Sequence, residues 1–133
     1  MKSTNEILSD IWTILVASPI GLLNGGVYKN TRPTGSILQD CVIHMLPGST
    51  AKFVRDGAIY IRLFYNDINK DNTFYEDSSV GQTLEHLLLD LSEVLLHTSG
   101  YDFDVRSRQV YPEAVPEIHQ HYVILKMNFQ LTI

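Results

Sequence analysis

The last twelve residues of the chain, 122–133, constrain its fold more than any other segment. Apolar side chains occupy every second position, and polar ones alternate with them from Lys126 onward. The apolar set is Val123, Leu125, Met127, Phe129, Leu131 and Ile133. This period of two predicts an antiparallel strand on a core. The strand spans roughly 35–40 Å, against a radius of gyration of about 14 Å for such a domain. We therefore expect it either to bend or to pair in part with something outside this chain.

Composition describes an ordinary globular chain with a single domain, 1–133. The 133 residues are 44% hydrophobic and 19% charged, which excludes a disordered protein. Cys41 is the sole cysteine, so an internal disulfide is excluded and a reducing compartment is favoured. We expect neither a membrane segment nor export, because the apolar runs are short and no signal core follows the N-terminus.

The charge balance argues against nucleic acid as a specific partner. The chain has 15 acidic and 10 basic residues, a net charge of −5 with neutral histidines. Phosphate contacts need clustered Lys and Arg, and here these residues are few and scattered. A surface that nucleic acid passes without binding stays open as an alternative.

Two helices are predicted, each opened by a capping box. The first box is S-x-x-E at Ser3, and that helix ends at Ser18, because the residue before Pro19 is pushed out of the α region. The second box is S-x-x-Q at Ser79, and Gly100 is expected directly after that helix. The apolar stripe of the second helix is Leu84, Leu87, Leu88, Leu91, Val94 and Leu95.

Four strands are predicted, at residues 41–46, 57–65, 103–111 and 119–133. Within the long glycine-containing connection 20–39, only residues 27–29 are a candidate for a short strand. The order α-β-β-α-β-β predicts an α+β fold. We expect a two-layer sandwich with a mainly antiparallel four-stranded sheet and two helices on one face.

Neither the acidic segment nor the histidines provide a strong metal signature. Residues 67–78 resemble the start of a calcium loop, but Asn72 replaces the glycine of the sharp turn and Ser78 stands where Glu is needed. We therefore predict a polar loop. His119 and His121 are expected on one face of a strand without a third ligand. No cofactor, metal or catalytic residue is predicted, and a His-dependent metal hydrolase stays open as an alternative.

The more telling signal is on the strand faces that point away from the core. The second and last strands carry aromatic, aliphatic and cationic residues there, a composition typical of protein interfaces. These predicted interface residues are Tyr60, Arg62, Phe64, Tyr122, Ile124 and Lys126. The predicted partner-contacting residues of the loops are Tyr28, Arg32, Phe74 and Tyr75. Single exposed apolar residues are common on any surface, so an ordinary surface remains the alternative.

Several stretches resemble a known family. They are residues 26–36 running into 40–43, residues 57–61, and residues 111–122 before the long strand. With the element order, they resemble the phage tail-terminator (tail-completion) proteins and their head–tail joining relatives, in versions from phages or prophages of Bacteroides-type bacteria. Many of those proteins have a proline where this chain has Asp40.

The resemblance implies a non-enzymatic structural protein. Such proteins form a ring, commonly six-fold, that caps the tail tube and joins it to the head. The implied partners are further copies of the chain, the tail tube protein and the head connector. The implied location is the host cytoplasm during assembly and then the tail–head junction of the virion. The residues alone leave open a small cytoplasmic α+β module that dimerises or binds peptides by strand addition.

Overall fold

The computed structural model describes residues 2–48 and 55–132. Two helices lie on one face of a five-stranded sheet, and a small hairpin stands apart from it. The helices are α1, Thr4–Ala17, and α2, Ser78–Leu96. The strands are β1, Val27–Lys29; β2, Cys41–Pro47; β3, Asp56–Asn66; β4, Ile68–Lys70; β5, Thr73–Tyr75; β6, Tyr101–Pro112; and β7, Gln120–Leu131. Short 3₁₀ helices cover Pro19–Leu22 and Pro116–Ile118.

The strand order in the main sheet is β1-β2-β3-β7-β6. The predicted α+β class is confirmed, and the four predicted strands are present in a mainly antiparallel sheet. The sheet has a fifth strand, and the predicted order α-β-β-α-β-β omits β1, β4 and β5. The added strand is β1, which pairs in parallel with β2 from Val27 beside Cys41 to Lys29 beside Ile43. The other pairings in this sheet are antiparallel. The sheet is therefore mixed.

The segment predicted as a polar loop is in fact the β4–β5 hairpin. Its two turn residues, Asp71 and Asn72, have φ values of 53° and 63°. Two consecutive left-handed residues are typical of the type I′ turn, whose twist matches that of the flanking strands. Asp and Asn tolerate this conformation better than other non-glycine residues, so this turn closes without glycine.

The helix boundaries follow from their caps. The capping box of α1 is confirmed, because the Ser3 hydroxyl accepts from the Glu6 N–H at 3.2 Å. The helix ends at Ala17, before the predicted proline stop. In α2 the predicted box is wrong, since Asp77 is the N-cap and its carboxylate accepts from the Val80 N–H at 3.3 Å. Gly100 is left-handed, but it lies beyond the C-cap residue, in the turn before β6.

The core lies between the helices and the inner face of the sheet. The stripe predicted for α2 is buried at four of its six positions, while Leu87 is half-buried and Val94 is exposed. The buried helical residues of this core are Ile7, Leu8, Ile11, Leu15, Leu84, Leu88, Leu91 and Leu95. The inner face of β7 contributes Val123, Leu125, Met127 and Phe129. Apolar alternation thus identified the core side of this strand.

The long strand β7 does not reach outside the chain. It lies between β3 and β6, and it pairs with both along almost its whole length. The expectation that it needs an outside partner is therefore wrong for the described residues, which exclude Ile133. The reason is that β3, with 11 residues, and β6, with 12, are about as long as the 12-residue β7. The two neighbouring strands therefore satisfy the backbone groups of β7.

Candidate interaction surface

The six predicted interface residues lie together on the outer face of the sheet, away from the helices. They form three cross-strand pairs between β3 and β7. These pairs are Tyr60 with Lys126, Arg62 with Ile124, and Phe64 with Tyr122. We call the half-buried members of this group the outer stripe: Tyr60, Arg62, Tyr122, Ile124 and Lys126.

Rings and cations alternate across the outer stripe. The Lys126 ammonium lies 5.5 Å from the centroid of the Tyr60 ring. The Arg62 guanidinium lies 5.7 Å from the centroid of the Tyr122 ring. Cations over aromatic faces are attracted by the ring quadrupole, and the contact orients both side chains. The outer stripe is therefore an ordered surface of aromatic and cationic groups.

Two further residues, His44 and Tyr111, extend this surface although they are not in the predicted set. The imidazole of His44 stacks on Tyr60 with centroids 4.7 Å apart and planes 4° apart. Tyr111 on β6 lies opposite Tyr122, with ring centroids 5.9 Å apart. The signal that identifies His44 is its spacing from Cys41, since residues three apart on a strand face opposite sides. Cys41 accordingly lies in the core, on the opposite face of β2 from His44.

The electrostatics of β2 differ between its two faces. Burial, and then the positive charge of Arg62, lower the pKa of His44 from its ordinary value of 6.5. The His44 Nδ1 and Arg62 Nε atoms are buried and have no hydrogen-bond partner within the described residues. On the inner face, burial and the neighbouring Asp40 raise the pKa of the Cys41 thiol to about 12. Cys41 is thus a packing residue of the core, and its thiol is unreactive because it stays protonated.

Phe64 does not belong to the exposed surface. Its side chain is only 4% exposed, and the guanidinium carbon of Arg32 lies 3.6 Å from its ring centroid. The expectation that Phe64 faces solvent is therefore wrong. Arg32 belongs to the connection between β1 and β2, and it covers Phe64 at this end of the outer face.

Arg32 is held by a buried polar cluster that we call the clamp: Arg32, Asp40, Glu113 and Gln120. Its guanidinium donates to Asp40 Oδ2 at 3.2 Å, to Glu113 Oε2 at 2.8 Å and to Gln120 Oε1 at 2.8 Å. The Asp40 carboxylate also accepts from the Gly26 N–H at 3.1 Å and from the Ser36 hydroxyl at 2.5 Å. The Arg32 side chain is 10% exposed and that of Asp40 is 0% exposed.

The clamp changes the interpretation of Arg32. The residue was predicted as a partner-contacting loop residue, yet its donors are engaged inside the chain. Arg32 ties the β1–β2 connection to the segment between β6 and β7. We therefore assign it a structural role and leave it out of the proposed contact surface.

The other three predicted loop residues differ in exposure. Phe74 and Tyr75 are exposed on β5, while Tyr28 on β1 is half-buried. The ring of Phe74 stacks on the imidazole of His119, with centroids 3.5 Å apart and planes 6° apart. This stack ties the hairpin to the connection before β7.

The histidine pair does not form the expected arrangement. His119 lies before β7 with a left-handed φ of 54°, so the two imidazoles do not share a strand face. His121 Nδ1 lies 2.5 Å from Asp67 Oδ1. Within residues 2–48 and 55–132, no group of three His, Cys, Asp or Glu side chains is placed to hold a metal ion.

The two edges of the sheet differ. The β1 edge has three residues, and the indole N–H of Trp12 donates to its Val27 carbonyl at 2.9 Å. At the opposite end, the far edge of the 12-residue β6 pairs with no other strand in the described part of the chain. The register between β6 and β7 shifts by one residue at Arg106. The guanidinium of Arg106 forms an ion pair with the exposed carboxylate of Asp104, with an N–O distance of 3.2 Å. Bulges and charges are typical devices against uncontrolled edge pairing.

A shallow cavity of about 530 Å³ lies at the other end of the outer face. Its lining includes the carboxylates of Asp56, Asp102 and Asp104 and the side chain of Arg106, which forms an ion pair with Asp104. This end of the sheet is therefore acidic, whereas the outer stripe is cationic.

Neither helix in the described part of the chain combines the length and the hydropathy that crossing a bilayer requires.

No family model and no curated protein matches the chain.

Proposed function

We propose that this chain is a non-enzymatic structural protein of a phage, the tail terminator. Copies of it form a ring that caps the tail tube and joins it to the head. Its partners are other copies of itself, the tail tube protein and the head connector. It acts in the host cytoplasm during assembly and then stays at the tail–head junction of the virion.

The observation that carries the proposal is the outer stripe. Its aromatic, aliphatic and cationic side chains lie on the sheet face that the helices leave uncovered. Tyr and Arg are enriched where protein interfaces are energetically strongest, since each combines a large contact area with directional polar groups. The ring–cation contacts hold these groups in place before a partner arrives, which reduces the entropy lost on binding.

A ring also needs a contact between two different surfaces. The sheet offers unlike edges, a short β1 edge and a long β6 edge. A contact between unlike surfaces builds a ring when the rotation closes. The net charge of −5 suits a ring around a DNA conduit, because an acidic wall repels phosphates and lets DNA pass. Tight binding of duplex DNA at physiological salt would contradict this part of the proposal.

The test is electron microscopy of the chain mixed with its cognate tail tube protein. We expect rings at one end of each tube and shorter, uniform tubes. Tyr60→Glu and Ile124→Glu are expected to abolish capping while leaving a folded chain, because each places a charge in the outer stripe. Asn5→Glu, which adds the same charge at an exposed position of α1, is the matched control and is expected to cap normally. Tubes that stay uncapped by the unaltered chain would overturn the proposal.

A second function is favoured by the long open edge of β6. A small cytoplasmic module that dimerises or takes up a peptide by strand addition would use such an edge. This alternative predicts a gene neighbourhood without tail or portal genes. It also predicts protection of β6 amides from hydrogen exchange when the partner is present.

A further inference from the structure

The charges of this chain are segregated along its sequence. Residues 71–105 contain eight acidic residues and neither Lys nor Arg. Helix α2 lies wholly within this segment, so its exposed side is acidic without compensation from its own residues.

The exposed side of α2 also carries apolar residues. Leu89 and Leu96 are 37% and 39% exposed, and they lie near exposed carboxylates on the helix surface. Residues 85, 89, 93 and 96 follow one another at helical spacings of four and three, so they line one side. We call this surface the helix face: Glu85, Leu89, Glu93 and Leu96.

The outer stripe has the opposite character. Arg62 and Lys126 stand beside Tyr60 and Tyr122, and the stripe contains no acidic residue. The acidic positions of the outer face lie at its other end, around the cavity lined by Asp56 and Asp102. The centre of the sheet surface is therefore cationic and aromatic, and the helix face is acidic and aliphatic.

These two surfaces lie on opposite sides of one molecule, because α2 packs on the inner face of the sheet. They therefore cannot meet within one chain. Pairing either surface with its own copy would oppose like charges, which disfavours a two-fold contact. Pairing the helix face with the outer stripe opposes unlike charges and matches leucines with aromatic rings.

We infer that the helix face of one copy binds the outer stripe of the next copy. The contact is head-to-tail, so successive copies continue in one direction until a rotation closes them. The inference deepens the proposed ring and rests on it for closure. The contact between the two faces is nevertheless testable on the chain alone.

The experiment uses two charge-reversed proteins and no phage component. One carries Arg62→Glu and Lys126→Glu, and the other carries Glu85→Lys and Glu93→Lys. We expect the unaltered chain to associate as its concentration rises to about 1 mM, in sedimentation velocity at low salt, and to dissociate as salt screens the contact. Each reversed protein is expected to self-associate at least about tenfold more weakly than the unaltered chain. The reason is that its altered face carries the same charge as the unaltered face that it meets on the next copy.

The decisive measurement is the equimolar mixture of the two reversed proteins. In the mixture a reversed stripe meets a reversed helix face, and an unaltered stripe meets an unaltered helix face. We expect association to return to the level of the unaltered chain, with the two proteins alternating. Glu117→Lys, on the exposed 3₁₀ helix, is the control and is expected to change nothing. Circular dichroism establishes that each variant is folded, and the single change Lys126→Glu replaces the double variant if that one unfolds.

Three results would overturn the inference: no association of the unaltered chain at about 1 mM, undiminished association of either reversed protein, or no recovery in the mixture. The outcome is separable from that of the proposed function. Self-association without tube capping would keep the contact and reject the tail role. Tube capping by the protein with Glu85→Lys and Glu93→Lys, whose outer stripe is unaltered, would keep the tail role and reject the contact.

Discussion

Arg32 is the residue on which the connection over the outer face depends. Its guanidinium neutralises Asp40, whose side chain has no exposed surface, and it also binds Glu113 and Gln120. The Asp40 carboxylate in turn fixes the backbone before β2 by binding Gly26, Ser36 and Arg32.

Replacing Arg32 by Met is expected to destabilise the fold by about 3–5 kcal/mol, because the carboxylate of Asp40 would stay buried without its countercharge. Urea denaturation measures the loss. Arg108→Met removes the same charge from an exposed position of β6, and we expect it to change stability by about 0.5 kcal/mol or less. Equal stabilities of the two variants would show that the clamp is not structural.

His44 on the outer face makes the stability of the fold depend on pH. Burial and Arg62 hold its folded pKa below 6.5, so the unfolded chain takes up this proton at a higher pH than the folded chain. The contribution of His44 to stability is thus present above pH 6.5 and is lost as the pH falls through the folded pKa. We expect an NMR titration of His44 with a midpoint below 6.5, which rises in Arg62→Gln. A midpoint at or above 6.5 would contradict the burial of this ring.

At the scale of elements, the N-cap of α2 in the structure differs from the one that the sequence predicts. Asp77 caps the helix by accepting from the Val80 N–H, whereas the sequence predicts Ser79. Asp77→Ala is expected to destabilise the fold by about 1 kcal/mol. Ser79→Ala, two positions further on, is expected to change stability by about 0.5 kcal/mol or less. Thermal unfolding of both variants measures the two losses of stability. A larger loss in Ser79→Ala than in Asp77→Ala would show that Ser79 is the N-cap.

The elements that sequence patterns predicted are those with enough residues to show a period. Alternation located β2, β3, β6 and β7, because each has at least seven residues. Strands β4 and β5 have three residues each, too few to show a period, and β1, also of three residues, was no more than a candidate. Their pairing is decided by turns and tertiary contacts.

The candidate surface was predictable where it depends on strand alternation and unpredictable where it depends on distant contacts. Tyr60 and Lys126 follow from the face of the strand on which they lie. Arg32 does not, because its partners Glu113 and Gln120 are 81 and 88 residues away in the sequence. A lone arginine in a glycine-rich connection gives no sign that it is buried.

At the scale of the whole molecule, the case for assembly rests on surfaces instead of strand length. Strands β3 and β6 absorb the length of β7, so no backbone of β7 is left for a neighbour within the described residues. What remains available is the outer stripe, the acidic helix face behind it, and the far edge of β6. All three belong to one packed unit of sheet and helices, which fixes their relative directions.

The most direct measurement is cryo-electron microscopy of particles purified from a host whose genome carries this chain, with mass spectrometry of the same particles. We predict one closed ring of this chain between head and tail, with the outer stripe of each copy against its neighbour. Particles that lack the chain, or that carry it without contact between copies, would contradict the account.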